Sequence, residues 1–142
     1  MKKQKQIYAG FWLRLVAYLI DAVILSVGGF IIGFMIGLIF YDVVEFVPDA
    51  LFNLIGMIVG WLYYALMESS VLQATLGKMA LGLKVTDLKE KQISFGRATG
   101  RHFAKYISLA TLGIGFIMIG FTKKKQGLHD MIASCLVVRK KK

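Results

Sequence analysis

Proline is almost missing from this chain of 142 residues, with Pro48 the single instance. A loop-rich secreted fold would need more such turn residues. Cysteine is as scarce. Cys135 alone excludes an internal disulfide framework and a cysteine metal cluster, and it reads as a small apolar residue. Acidic residues number 8 against 18 Lys and Arg, a net charge of +10. Charge of either sign is absent from Phe11 to Phe40 except at Arg14 and Asp21. That stretch is too long for the apolar part of a signal peptide, and no A-x-A-like site follows it, so it is expected to be retained.

What is present is apolar. Hydrophobic residues make up 57% of the chain, against about 45–50% in soluble domains. Glycine is frequent at 15 residues, as suits helices packed closely in a membrane. Length allows a single domain over 1–142. The basic excess does not point to nucleic acid. It lies in blocks beside apolar segments, where it would meet anionic lipid heads and obey the positive-inside rule.

The first span is predicted at about 11–40. At 1.5 Å per residue this is ~45 Å, longer than a ~30 Å hydrocarbon core. Phe11, Trp12 and Arg14 are therefore expected at headgroup level, with the arginine snorkelling. Arg14 and Asp21 lie seven apart, about two turns along one helix face. Gly29, Gly33 and Gly37 form a small-residue stripe for helix packing. A loop from Tyr41 to Ala50 comes next, with Asp42, Glu45 and Asp49 but no Lys or Arg, and Pro48–Asp49 marks the start of the next helix. The second span is predicted at about 51–68. It carries Gly56 and Gly60 as a second packing pair and is closed by Glu68. With Lys2, Lys3 and Lys5 inside, the acidic loop is outside, and Asp21 and Glu68 reach similar depth.

Residues 69–105 are polar and basic, and are expected on the cytoplasmic side. Leu81–Thr86, a turn at Asp87–Lys91, and Gln92–Phe95 read as a β-hairpin. Phe95 to Tyr106 reads as an interfacial helix with Arg97, Arg101 and Lys105 at every fourth position. The third apolar segment, 106–121, is short and broken by Gly113 and Gly115. A plain third span would put Lys123, Lys124, Lys125 and the basic tail, 122–142, outside, against the positive-inside rule; a re-entrant hairpin keeps both ends inside. Cys135 to Arg139 reads as a strand able to pair with Leu83–Thr86, which favours the hairpin. The fold class expected is an all-α integral membrane protein with two transmembrane helices, a third broken or spanning segment, and a small cytoplasmic β element.

Several motifs resemble the RDD family of prokaryotic membrane proteins. One is the opening Ala9-Gly10-Phe11-Trp12-Leu13-Arg14-Leu15-Val16-Ala17-Tyr18-Leu19-Ile20-Asp21. Another is Gln73-Ala74-Thr75-Leu76-Gly77-Lys78 with Leu81-Gly82-Leu83-Lys84-Val85. The last is Gly127-Leu128-His129-Asp130 before Ala133. The family is named for one arginine and two aspartates. Arg14 and Asp21 match the arginine and the first aspartate; Asp130 is the match for the second, with Asp87 the weaker candidate. Met131 departs from the basic residue expected there. The resemblance implies a protein of the prokaryotic cytoplasmic membrane; the N-terminal lysines and the spans make it multi-pass with its N-terminus inside. The resemblance also implies a connection with transport, cation/proton antiport being proposed for some members, and it brings no cofactor or enzyme reaction.

Arg14, Asp21, Glu68, Arg101 and Asp130 are then expected to gather near the inner face. In one reading Asp21 binds a monovalent cation or a proton, and Arg14 sets its affinity. In the other, the five residues form a structural ion-pair network. Lys78, Lys123, Lys124 and Lys125 are expected to anchor to lipid phosphate. Gln73 to Lys78 lacks the phosphate-loop pattern, and His102 and His129 are too few and too separated for a zinc site, so no metal and no cofactor is expected. No serine or cysteine sits in a nucleophile motif, so an enzyme is not expected. Expected partners are the bilayer, its anionic lipids and a second copy of the chain. The competing function is a non-transporting module that binds lipid or a partner membrane protein.

Overall fold

The computed structural model describes residues 7–140. Lys2, Lys3 and Lys5, and Lys141 and Lys142 of the tail, lie outside the described residues. Helix α1 spans Phe11–Ile39 and α3 spans Asp49–Ser69; both are long and apolar enough to cross a membrane. A single turn, α2 (Tyr41–Val44), joins them. Pro48 is the N-cap of α3, and Asp49 places negative charge in its first turn, where the helix dipole favours it. At the other end Ser69 and Ser70 fold their hydroxyls back onto the carbonyls of Ala65 and Met67, at 2.6 and 2.8 Å.

After α3 comes the short helix α4 (Leu76–Ala80), whose N-cap Thr75 accepts from the Lys78 amide. Strand β1 (Leu83–Asp87) then pairs antiparallel with β2 (Cys135–Arg139), in a register from Leu83 opposite Arg139 to Asp87 opposite Cys135. The expected local hairpin is thus corrected, and the long-range strand pair takes its place. The Asp87–Lys91 turn does form, with Asp87 Oδ1 accepting from the amides of Lys89 and Lys91 at 2.8 Å. Beyond it, Ser94 accepts from the Arg97 amide and starts a helix, so no second strand runs alongside.

Both edges of this small sheet are occupied. On the β2 side the segment before α1 runs antiparallel, with the Ala9 amide donating to Val137 O (2.8 Å) and the Arg139 amide to Ile7 O (3.0 Å). On the β1 side Gln73 exchanges bonds with Val85 through its backbone carbonyl (2.6 Å) and side-chain amide (3.1 Å). Covered edges of this kind do not recruit foreign strands.

Helix α5 spans Phe95–Ala110 and α6 spans Ile114–Phe121, with axes bent by 102° at the break between them. The expected interfacial helix and the first part of the third apolar segment are therefore one helix. Leu112 and Gly113 both take positive φ, +54° and +78°, which turns the chain back sharply and is easiest for glycine. Helix α7 (Leu128–Ile132) leads into β2. Because β2 bonds to β1 and to the segment preceding α1, the chain returns after α6 to the end of the molecule where α1 begins and α3 stops. A straight third crossing would separate those partners.

The buried core sits at that end and not along the spans. Leu83, Val85, Cys135, Val137 and Ala9 are fully buried, with Ala17, Ala65 and Ala98 packed around them. In α1 only Ala17 and Asp21 are buried, and in α3 only Tyr64, Ala65 and Glu68. The remainder of both helices presents an apolar surface suited to hydrocarbon.

Candidate functional site

Five elements, α1, α3, α4, α5 and α7, converge where α1 starts, and each delivers a charged side chain. Arg101, in α5, bridges two acids: its Nε donates to Asp130 Oδ1 at 2.8 Å and its Nη1 to Glu68 Oε2 at 2.6 Å. Glu68, from the last turn of α3, accepts through Oε1 from Lys78 Nζ at 2.7 Å. Asp130, in α7, accepts through Oδ2 from Arg14 of α1 and from the Gly127 amide at 3.2 Å. Arg14 also donates to the carbonyls of Lys125 and, at 3.0 Å, Ala9. The result is one chain of alternating sign, Lys78–Glu68–Arg101–Asp130–Arg14. None of the five side chains is more than 9% exposed.

Asp21 stands beside this chain and not within it. Its Oδ1 accepts from Tyr63 Oη (2.7 Å) and the Gly77 amide (2.8 Å), and its Oδ2 from Thr75 Oγ1 (2.6 Å). The expected Arg14–Asp21 partnership is therefore corrected: Arg14 turns to Asp130, and Asp21 is held by three neutral donors. The contact depends on Gly77, where a Cβ would run into the Ala17 carbonyl and the Asp21 carboxyl. Counting Asp21, three acids (Asp21, Glu68, Asp130) face three bases (Arg14, Lys78, Arg101), and Lys105 of α5 adds a fourth positive charge with no ion pair among the described residues.

Burial alone would raise the Asp130 carboxyl; the guanidiniums of Arg101 and Arg14 outweigh it and hold Asp130 below the usual carboxylate range. Burial lowers the neighbouring His129 imidazole to about 3, despite the pull of Asp130, so it is neutral near pH 7. Its Nδ1 lies 3.2 Å from Ser108 Oγ of α5. Burial pushes the Cys135 thiol up to about 11. Among the described residues no group of three His, Cys, Asp or Glu side chains could hold a metal ion.

Four of the five residues expected to gather, Arg14, Glu68, Arg101 and Asp130, are brought together directly, and Asp21 adjoins them. Lys78, expected at the lipid phosphates, is instead buried at 7% exposure, because Glu68 needs a second cation. Lys123 and Lys124 are exposed, whereas Lys125 is half-buried and ties its Nζ to Gly120 O at 2.8 Å. Gly29, Gly33, Gly37, Gly56 and Gly60 have open space where a side chain would stand, so no helix of the described chain packs on them. Asp87 is on a surface turn, away from the buried chain. Sequence reasoning missed Tyr63, Thr75 and the Gly77 amide as the ligands of Asp21. The Gln73–Lys78 motif was their visible signal, though it carries no acid or base that would have named the partner. A cavity of about 570 Å³ borders the charge chain between α1, α5 and α6.

The model of the RDD family matches residues 8–134. The chain is 40% identical to the uncharacterized protein YxaI of Bacillus subtilis (strain 168), over 93% of this chain and 97% of that protein. It is 32% identical to the uncharacterized membrane protein YteJ of the same organism, over 94% of this chain and 82% of the relative. A shorter match, 36% identical over 46% of the chain, is to the uncharacterized protein RP437 of Rickettsia prowazekii (strain Madrid E). No solved structure matches.

Proposed function

This chain belongs to the RDD family, and on that footing we propose that it is a non-transporting membrane module that binds lipid or a partner membrane protein. The observation that carries this reading is the saturation of Glu68 and Asp130. Each oxygen of both carboxylates is already bonded to Lys78, Arg101 or Arg14. A mobile cation arriving there would find no unshared carboxylate oxygen and would be repelled by the bases around it. Such a network suits holding spans and tail in register.

Cation–proton exchange is the second reading, and one feature favours it: Asp21 is a buried acid with no basic side chain bonded to it. Its two oxygens are already shared among three donors, Tyr63 Oη, the Gly77 amide and Thr75 Oγ1, and Oδ1 takes two of them, so an arriving cation would have to displace bonds that fix α4 to α1. Proteoliposomes with an internal pH dye and an imposed Na⁺ or K⁺ gradient separate the two. The expected result is no proton movement above that of empty vesicles. Wild-type flux that disappears in folded Asp21→Asn would establish exchange instead.

On the same reading the module lies in the prokaryotic cytoplasmic membrane with its sheet end inside. Exposed Lys89, Lys91, Lys123 and Lys124 at that end would meet anionic lipid heads. A homo-oligomer is supported by the unfilled glycine stripes of α1 and α3, which leave room for another helix.

A further inference from the structure

The cavity beside the charge chain has an uneven lining. Arg14, Lys78, Arg101 and Lys105 all reach it, and no Asp or Glu lines it. Three of those bases are bonded to Glu68 or Asp130; Lys105 makes no ion pair among the described residues. Its Nζ rests 4.5 Å from the centroid of the Tyr64 ring. His102 lines the same space, and its Nδ1 is buried with no hydrogen-bond partner. Lys105 and His102 stand three residues apart on α5 and so share a helix face, where an ammonium without an ion-pair partner adjoins a buried ring nitrogen without a hydrogen-bond partner and leaves room for a bound acceptor.

Most of the remaining lining is apolar, with Leu15 from α1, Leu109 from α5 and Phe116 and Ile117 from α6, while Tyr18, Tyr64, Tyr106 and His129 add polar atoms. At the rim, Tyr18, Tyr106, Leu109 and Ile117 are 49–61% exposed, on helices whose outer surface is hydrophobic. The cavity therefore opens where a bilayer would cover the molecule. Its size falls in the range of about 300–1,000 Å³ typical of small-ligand sites. A soluble anion would match the base of such a cavity and leave its walls unused; a hydrocarbon would match the walls and leave the base unused.

We propose that this cavity binds one anionic amphiphile, with its oxyanion head against Lys105 and His102 and its hydrocarbon chain leaving between α1 and α6. The proposal rests on the lipid-binding half of the reading above and names its ligand class. Two sources share the chemistry: an acidic phospholipid and a free fatty acid. Lys105 supplies the uncompensated charge and His102 a polar contact, while Arg14 and Arg101 add positive field behind their own partners.

Native mass spectrometry of the whole purified chain in neutral detergent tests this, with four probes: phosphatidylglycerol, oleate, phosphatidylcholine and inorganic phosphate. One bound molecule of phosphatidylglycerol or oleate per chain is expected, and whichever binds identifies the source. Lys105→Gln is expected to weaken it roughly tenfold, as befits one lost charge-assisted bond, and Lys105→Arg to retain it. Ile117→Trp, which fills the rim without touching the charges, is expected to exclude the ligand and covers the case in which Lys105→Gln does not fold. Lys124→Gln, an exposed lysine outside the cavity, is expected to change nothing. Equal retention of phosphatidylcholine, competition by inorganic phosphate alone, or equal loss in Lys124→Gln would overturn the proposal. So would undiminished binding in both Lys105→Gln and Ile117→Trp. Proton flux in vesicles is read separately, so failure of this site and failure of the non-transporting reading are distinguishable.

Discussion

Arg101 holds two acids at once, and the consequence is steep. Removing a single member of a buried ion pair leaves its partner charged and without compensation, which costs about 3–5 kcal/mol. The Arg14–Asp130 pair allows the cleanest measurement, because the two residues lie 116 positions apart and meet only through the fold. Arg14→Met and Asp130→Asn are each expected to lower unfolding stability in detergent. The double variant should lose less than the sum of the two, by about 1–3 kcal/mol. Strict additivity would mean that the pair is not coupled. Acid sensitivity arises from the neighbouring imidazole. His129 has a folded value near 3, below its ordinary 6.5, so the folded state favours the neutral ring. The stability it contributes is complete above about pH 6.5 and is lost as pH falls from there toward about 3. Asp130, also held low, adds a loss in the same direction, below the ordinary carboxylate range. Burial also lowers His102, to about 4, so it adds a loss of the same sign in the same window as His129. Melting temperature should therefore fall as pH is lowered through 6, and His129→Gln should reduce that slope while leaving the part due to His102. At this scale the sequence showed which residues were unusual but not whom they would meet. Arg14 and Asp21 share a helix face by spacing, yet Arg14, in the first turn, reaches back toward Ala9 and Asp130, while α4 covers Asp21.

Helix α4 is too short to be stable alone, and its attachment to α1 is what places Lys78 opposite Glu68. Asp21 and Gly77 make that attachment. Gly77→Ala would force a methyl against the Ala17 carbonyl, at a cost of about 1–3 kcal/mol. The expected readout is a lower melting temperature with the helix content of the spans unchanged. An unaltered melting temperature would show that α4 can move aside freely. The elements differed in how readable they were. The two spans and the Pro48–Asp49 start of α3 are legible from hydropathy and a helix-start signal, both of them local. The β1–β2 pair was readable as well, because Leu136-Val137-Val138 is apolar enough to need cover on both faces. The local hairpin was misread because the turn signal at Asp87–Lys91 is real and still does not determine the type of the next element. Ser94 caps a helix more strongly than Gln92–Phe95 forms a strand. The inward turn of Lys78 was hidden for another reason: a lysine near the membrane face looks the same in sequence whether it meets a lipid phosphate or a buried glutamate.

For the whole molecule, the arrangement is two helices long and apolar enough to cross a membrane, standing on one polar base. The segment before α1, the strand after α4 and the strand after α7 are laced into one sheet, and the charge chain bonds α1, α3, α4, α5 and α7 to one another. This requires the bent α5–α6 unit to enter and leave on the same side. Cys135 cannot report sidedness itself, since it is fully buried and its thiol is held protonated. Single exposed cysteines can: Phe46→Cys in the loop between the spans, Lys89→Cys at the β1 turn and Lys124→Cys after α6, each made in the full chain and treated with a membrane-impermeant thiol reagent. Positions 89 and 124 should react from one side of the membrane and position 46 from the other. Labelling of position 124 together with position 46, and not with 89, would make the third segment a full crossing, separate β2 from β1, and contradict the arrangement outright.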